Sequence, residues 1–317
     1  MQRLDFESAV EKIEEKIERL KISSGQDKAS TKEEIKKLQH KADKILGGIY
    51  AKLTPWQITQ VARHPQRPYT MDYIQNIFEG FIELHGDRCF SDDPAMVCGL
   101  AKFNGDPVVV MGHQKGRTIK EKVRYNFGMP HPEGFRKSLR LMDLAVRFSL
   151  PVFTFIDTPG AYPGVGAEER GQSEAIAANL MKMAGLRTPI ISTVIGEGGS
   201  GGALAIGVAD RVLMLEFATY SVISPEGCAA ILWKDGTKGS LAANALKIDA
   251  ENLLKSGVVD RIVPEPTGGA HRNTEDTFNN LKAALTDVFA EIKHTTVDKL
   301  VKNRYNKFRS LGLFTEN

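Results

Sequence analysis

The chain has 317 residues, of which 42% are hydrophobic and 26% charged, and its formal net charge is +3. This balance is ordinary for a globular protein, and the length permits one large domain or two smaller ones without disulfide staples. No apolar run approaches the ~20 residues of a membrane span, and so small a charge does not by itself imply nucleic-acid binding.

Cysteine usage indicates a reducing compartment. Cys89, Cys98 and Cys228 are an odd number in apolar surroundings and have no C-x-x-C spacing, so we expect reduced core thiols. For the same reason we expect no metal site from this chain alone. The first residues, MQRLDFESAVEKIEEK, do not resemble a signal peptide, and the protein is expected to be cytoplasmic.

Residues 1–52 predict an N-terminal helical hairpin. The apolar residues of its first helix recur at spacings of three and four: Phe6, Val10, Ile13, Ile17 and Leu20. After a polar break, Thr31 and Glu34 form a capping box for a second helix, which we expect to stop at Gly47. The stripes are narrow, so the hairpin either lies on the body or on a partner subunit, or forms a solvated arm.

Residues 53–94 predict connecting helices. Thr54 and Pro55 start a short helix, and Thr70 is expected to cap a longer one. The apolar face of that longer helix would bury these residues: Tyr73, Ile74, Ile77, Phe78, Phe81 and Ile82.

The main domain, residues 95–265, opens with a predicted β-hairpin around Asn104-Gly105. A basic run follows it, consisting of Lys115, Arg117, Lys120, Lys122 and Arg124. Such a run is most often a solvated surface. Its place directly after a strand end also allows an electrostatic cradle for an anionic substrate or cofactor.

Two successive units then share one plan of buried strand, glycine-rich loop and helix, which predicts an α/β fold. The first unit is VFTFID followed by a loop that contains Gly160, Gly164 and Gly166. Its D-T-P-G turn is similar to the D-x-x-G of GTPases, but no phosphate-binding P-loop sequence precedes it.

The second unit, from Thr188 to Glu216, contains a glycine cluster that satisfies several motifs. Gly196, Gly198 and Gly201 form G-x-G-x-x-G, which would make the chain an NAD(P)-dependent dehydrogenase with Glu216 as the ribose-binding acid. A second motif, G-x-S-x-G, is centred on Ser200. With Asp260 and His271 it would make the chain a serine hydrolase.

Two further interpretations of the cluster need no reactive side chain. The amides of Gly202 and Ala203 could form an oxyanion hole, or the glycines could simply let a helix pack closely on the sheet. After the cluster we expect a helix from Ile248 to Ser256, a last strand from Val258 to Val263 and a C-terminal helical extension over 266–317. The apolar stripe of that extension consists of Phe278, Leu281, Leu285, Val288, Phe289 and Ile292.

The tandem units FIDTPGAYPGVGAEERGQ and VIGEGGSGGALAIG resemble the α-subunit family of bacterial acetyl-coenzyme A carboxylase carboxyltransferases. The resemblance extends through PEGFRKSLRLMDLA and GVVDRIVPEPTGGAHR to nearly the whole chain, including the helical N-terminal arm. It implies a crotonase-type α/β fold, a spiral of β-β-α units with helical N- and C-terminal extensions.

The resemblance implies transfer of a carboxyl group from carboxybiotin to acetyl-CoA, which gives malonyl-CoA. In this family biotin is presented by a separate carrier protein, and biotin carboxylase is a further partner. A β subunit of the same fold carries the zinc and completes the active site, in an assembly expected to be α2β2.

By position, the resemblance puts the oxyanion hole facing biotin on the amides of Gly202 and Ala203. The residues expected to wall the biotin pocket are Gly160, Ala161, Gly164, Val165, Gly166 and Gly201. Lys115, Arg117 and Lys120 would contact coenzyme A phosphates or the carrier protein. The terminal helices would pack against neighbouring subunits. A non-catalytic scaffold role stays open beside the enzymatic one.

Overall fold

The computed structural model describes residues 4–23 and 28–312, apart from the side chains of 23 and 28–30. The strands are β1 Glu79–Glu83, β2 Met96–Phe103, β3 Asp106–His113, β4 Val152–Thr158, β5 Ile190–Gly199, β6 Arg211–Leu215, β7 Thr219–Ser221 and β8 Arg261–Val263. The helices of the first half are α1 Ser8–Ser23, α2 Lys28–Tyr50, α3 Pro55–Ala62, α4 Thr70–Ile77, α5 Ile119–Arg124 and α6 Pro132–Phe148. Those of the second half are α7 Val165–Glu169, α8 Gln172–Ala184, α9 Ser200–Leu204, α10 Pro225–Trp233, α11 Gly239–Leu246, α12 Ala250–Lys255, α13 Thr274–Ile292 and α14 Val297–Arg309.

The strands form one sheet in the order β1-β2-β3-β4-β5-β6-β8, with β7 paired to the far end of β5. The pairs β1-β2 and β2-β3 are antiparallel, whereas β3, β4, β5, β6 and β8 run parallel. Every residue of β4 is buried, as expected of a strand covered on both faces. The predicted hairpin is confirmed: Asn104 and Gly105, both with positive φ, connect β2 to β3.

Residues 70–83 differ from the prediction. The helix α4 ends at Ile77 rather than continuing to Ile82, and Tyr69, not Thr70, is its N-cap residue. Strand β1 follows at once and pairs Ile82 with Leu100 of β2. The apolar spacing was compatible with a helix, but the unpaired edge of β2 supplies backbone partners that the local pattern does not reveal.

The N-terminal hairpin packs on the body of the protein. Helix α2 begins at Lys28, before the predicted Thr31 cap, and runs through Gly47 to Tyr50. Val10 of α1 and Leu46 of α2 belong to a small core with Val61 and Phe217. The polar break before α2 lies partly outside the described residues.

The C-terminal helices cover the protein's own sheet. The predicted stripe of α13 is confirmed, since Leu281, Leu285 and Phe289 are buried in the main core. The ring of Phe289 lies edge-on to Phe103 and Phe153 of the sheet. This face fills the space above β2 and β4. The packing of the terminal helices against a neighbouring subunit stays a prediction for their other faces.

Two smaller expectations have different outcomes. Cys98 and Cys228 are buried as predicted, but Cys89 is exposed, and all three are free thiols. Among the described residues no helix is long and apolar enough to cross a membrane.

Candidate active site

The parallel strands β3, β4 and β5 bring three loops to one edge of the sheet. His113 ends β3, Thr158 ends β4, and Gly199 ends β5 and precedes α9. Because carboxyl ends of parallel strands meet at one edge, residues distant in sequence become neighbours there. This edge is the candidate site.

The loop after β4 packs directly on the start of α9. A Cβ at Gly199 would lie 2.2 Å from the carbonyl oxygen of Pro159. A Cβ at Gly202 would lie 2.5 Å from the carbonyl carbon of Gly160 and 2.8 Å from the nitrogen of Ala161. Only glycine allows so close an approach of two backbone segments.

The amides at the start of α9 differ in their helical partners. In a helix that begins at Ser200, the amides of Gly201 and Gly202 have no carbonyl four residues back within the helix. For the amide of Ala203, the carbonyl four residues back is that of Gly199, which ends β5 and precedes the helix. Ser200 itself has a φ of +53°, which is uncommon for a residue with a side chain.

The loop between β4 and α8 is held in place at its middle. The amide of Tyr162 donates to the carbonyl of Pro130 at 3.0 Å. The side chain of Gln172 donates to the carbonyls of Pro130 and Tyr162, both at 2.9 Å. The Tyr162 ring stacks on His131. A Cβ at Gly164 would lie 2.3 Å from the Tyr162 ring. These contacts fix the loop before α7 begins.

Of the predicted pocket residues, the structure brings Gly160, Ala161, Gly201 and Gly202 together with Ala203. Farther along the loop, Val165 is 76% exposed, and a Cβ at Gly166 would meet only the side chain of Arg170. Gly164, Val165 and Gly166 thus belong to the outer part of the loop.

The imidazole of His113 lies beneath this arrangement, and sequence analysis did not single it out. It is fully buried. Its Nε2 lies 3.1 Å from the carbonyl oxygen of Gly202, and its Nδ1 accepts the backbone N–H of Asp157 at 3.4 Å. Burial lowers the pKa of His113 to about 3. The one sequence signal was a histidine at the end of an apolar strand.

A chain of charged side chains crosses the same edge. Lys115 Nζ lies 2.7 Å from Asp157 Oδ1, which also accepts the backbone N–H of Glu197 at 3.0 Å. Arg63 donates to Glu197 at 2.8 Å and to Glu226 of α10 at 2.6 Å. Local sequence could not have revealed this network, since Arg63 and Glu197 are 134 residues apart.

Two cavities flank Ser200. The polar one has a volume of about 560 Å³ and is lined by residues that include Arg63, Glu197 and Ser224. The apolar one has a volume of about 300 Å³, and its lining includes Gly201, Leu204, Tyr220, Val222 and Leu253.

The basic run is divided between internal and exposed residues. Lys115 is the partner of Asp157, as described above. Arg117 pairs with Asp72 at 2.7 Å and lies over the Tyr69 ring. Lys120 is exposed on α5. Lys115 therefore holds the site together from within, whereas Arg117 makes its ion pair at the surface, with 49% of its side chain exposed.

The dehydrogenase interpretation is wrong. Gly196 and Gly198 lie inside β5, not in a turn after a strand. A Cβ at Gly196 would lie 2.5 Å from the Asp157 carboxylate, and one at Gly198 would lie 2.8 Å from Tyr220. Glu216 accepts the backbone N–H of Glu265. These glycines serve close packing, as the simplest interpretation of the cluster held.

The serine hydrolase interpretation fails on geometry. The Asp260 carboxylate accepts the backbone N–H of Val212 at 2.6 Å and pairs with Lys307. His271 stacks on His64 at 3.8 Å between ring centroids. In the part of the chain that the structure describes, neither Asp260 nor His271 hydrogen-bonds to Ser200.

Comparison with known proteins gives a family. A family model described as acetyl co-enzyme A carboxylase carboxyltransferase-like matches residues 3–312. The acetyl-coenzyme A carboxylase carboxyl transferase subunit alpha of Thiobacillus denitrificans is 58% identical over 313 residues, which cover 99% of this chain and 97% of that protein. The protein of the same name from Thioalkalivibrio sulfidiphilus is 59% identical, with 99% and 98% covered.

Solved structures share the fold at lower identity. Transcarboxylase 12S matches with a TM-score of 0.55 and 20% identity, covering 69% of this chain and 41% of that chain. A Pseudomonas malonate decarboxylase hetero-dimer matches with a TM-score of 0.56 and 20% identity, covering 68% and 89%. The crotonase-type α/β fold is thereby confirmed.

The family predicted from the two glycine-rich units is confirmed by these similarities. They extend over both units, the flanking helices and the helical arms. The chain belongs to the acetyl-coenzyme A carboxylase carboxyltransferase family, among its α subunits.

Proposed function

We propose that this chain is the α subunit of a carboxyltransferase that moves a carboxyl group from carboxybiotin to acetyl-CoA, giving malonyl-CoA. The observation that carries the proposal is 58% identity over 99% of the chain to a protein of that name. The arrangement of Gly160, Ala161 and Gly202 supports it, since it presents backbone rather than reactive side chains.

The residues present fit a biotin group. The apolar cavity beside Gly201 has a volume of about 300 Å³, which suits a small ring system, and Leu204, Tyr220 and Val222 supply apolar walls. When bound, biotin supplies the carboxyl group and, after that group has left, the base for the acetyl methyl group. The chain's own residues hold the ring and stabilise charge.

The chain's contribution is electrostatic. The amides of Gly202 and Ala203 are proposed to donate to the ureido oxygen, where negative charge develops. No side-chain base is required of this chain. His113 has both ring nitrogens engaged and is held neutral, which agrees with that assignment.

The remaining parts of the reaction belong to partners. We propose a β subunit of the same fold that carries the zinc and the second oxyanion hole, and a separate biotinyl carrier protein. The exposed Lys120 is proposed to contact the coenzyme A phosphates or the carrier. The half-exposed Arg117, although it pairs with Asp72, is proposed to contact the same groups. Lys115 pairs with the buried Asp157 and would act there only through the shape of the loop.

The test is reconstitution. The chain is mixed with a β subunit from a relative, and malonyl-CoA-dependent carboxylation of free biotin is measured. We expect turnover by the mixture and none by either chain alone. A scaffold, by contrast, would leave the mixture without turnover although the two chains co-elute on size exclusion, and that result would overturn the proposal.

A further inference from the structure

We infer that His113 is a positioning residue that orients the peptide between Gly202 and Ala203. The inference rests on the proposed function, because that peptide carries one of the two proposed oxyanion donors. It concerns a side chain that touches no substrate and acts through the backbone of α9.

The Gly202 carbonyl accepts no backbone hydrogen bond from the helix that contains it. The amide of Ala205 donates to Gly201 at 3.0 Å, and that of Ile206 donates to Ala203 at 3.3 Å. Gly202 lies between these two acceptors and receives the His113 imidazole instead, at 3.1 Å. A buried carbonyl requires a donor, and here a side chain from another strand supplies it.

The proton on His113 can be assigned from its partners. A backbone N–H can only donate, so the Asp157 amide requires Nδ1 to be the acceptor. The neutral ring then carries its hydrogen on Nε2, which donates to Gly202. The buried ring and the nearby Lys115 charge both disfavour a second proton.

A bond to the Gly202 carbonyl acts on the amide of Ala203 because both belong to one planar peptide. The bond fixes the plane of that peptide and hence the direction of its N–H. It also polarises the peptide, which makes the N–H a better donor. The backbone of His113 has a separate bond, in which the Thr70 hydroxyl donates to its carbonyl at 2.5 Å.

The test compares three variants in the reconstituted complex. His113→Asn keeps a polar group near the Nδ1 position but does not reach Gly202. His113→Gln extends far enough to donate to the Gly202 carbonyl. Thr70→Val is the matched control, since it removes a buried hydrogen bond on the same residue and leaves the imidazole untouched.

We expect His113→Asn to lower kcat by about ten- to a hundredfold with unchanged KM for malonyl-CoA, because transition-state stabilisation alone is weakened. His113→Gln should restore most of kcat. Thr70→Val should lower the thermal midpoint and leave kcat per assembled complex near that of the parent.

Equal kcat in His113→Asn and the parent, measured per assembled complex, would overturn the inference. So would a kcat loss in Thr70→Val as large as that in His113→Asn, because the imidazole would then have no specific effect. An inactive parent complex would instead overturn the proposed function, so the two failures are distinguishable.

Discussion

At the scale of single residues, adjacent glycines of the cluster have different reasons to be glycine. A Cβ at Gly202 would collide with the backbone of the loop after β4, 2.5 Å from Gly160. A Cβ at Gly201 would meet only the flexible side chain of Ile176, at 3.3 Å. Gly202 is therefore required by a close backbone contact, whereas at Gly201 a neighbouring side chain could move to admit a Cβ.

We predict that Gly202→Ala abolishes most transfer activity while Gly201→Ala is tolerated. Both variants keep their amide N–H, so a difference in activity between them reports displacement of the loop after β4. A displacement of about 1 Å can cost about 10²-fold in rate. The measurement is kcat of the reconstituted complex, with circular dichroism as the check on folding. Equal activity of the two variants would show that the Gly160 contact is irrelevant to catalysis.

At the scale of elements, α14 is fastened to the sheet by one buried guanidinium. Arg304 is 1% exposed and donates to both carboxylate oxygens of Asp210, at 3.0 and 2.7 Å. It also donates to the carbonyls of Met183, Leu186 and Thr188. The helix is therefore integral to the body, although the sequence predicted only a C-terminal helical extension over 266–317.

We predict that Arg304→Ala lowers the free energy of unfolding by about 3–5 kcal/mol, since it leaves the buried Asp210 carboxylate without its cation. The matched control is Arg187→Ala, which breaks an ion pair with Asp298 whose side chains are 59% and 88% exposed. That change should cost less than about 1 kcal/mol. Urea unfolding of the isolated chain measures both, and comparable losses would contradict the assignment of α14.

At the scale of the whole molecule, two buried histidines couple folding to pH. Burial is the main reason that the pKa values of His113 and His271 fall to about 3. For His271, the neighbouring His64, Arg67 and Arg272 lower the pKa further. An unfolded histidine has a pKa of about 6.5, so the unfolded state binds more protons below that pH. The stabilisation is complete above about pH 6.5 and is lost as the pH falls toward 3.

We predict that the free energy of unfolding decreases between pH 7 and pH 5, by up to about 1.4 kcal/mol per pH unit for each of these histidines. His271→Gln should reduce that slope, whatever its effect on stability at pH 7. The measurement is a series of urea titrations across this window. An unchanged slope in the variant would show that His271 is not protonated on unfolding.

Several elements and part of the site were predictable from sequence. The Asn104-Gly105 hairpin, the Thr54 cap and the α13 stripe follow from local turn chemistry and apolar period, and all three were confirmed. The strand at 79–83 and the course of Gly196 and Gly198 inside β5 were not predicted. Both depend on pairing with strands elsewhere in the chain.

The sequence by itself determined where most strands, turns and amphipathic helices lie, and that glycines gather at the end of β5 and the start of α9, because neighbours a few residues apart decide these features. Only the tertiary structure decided what the glycines face and which charges are neutralised. Lys115 meets Asp157 from 42 residues away, and His113 meets Gly202 from 89. Such contacts arise from the order of strands in the sheet, which no local pattern encodes.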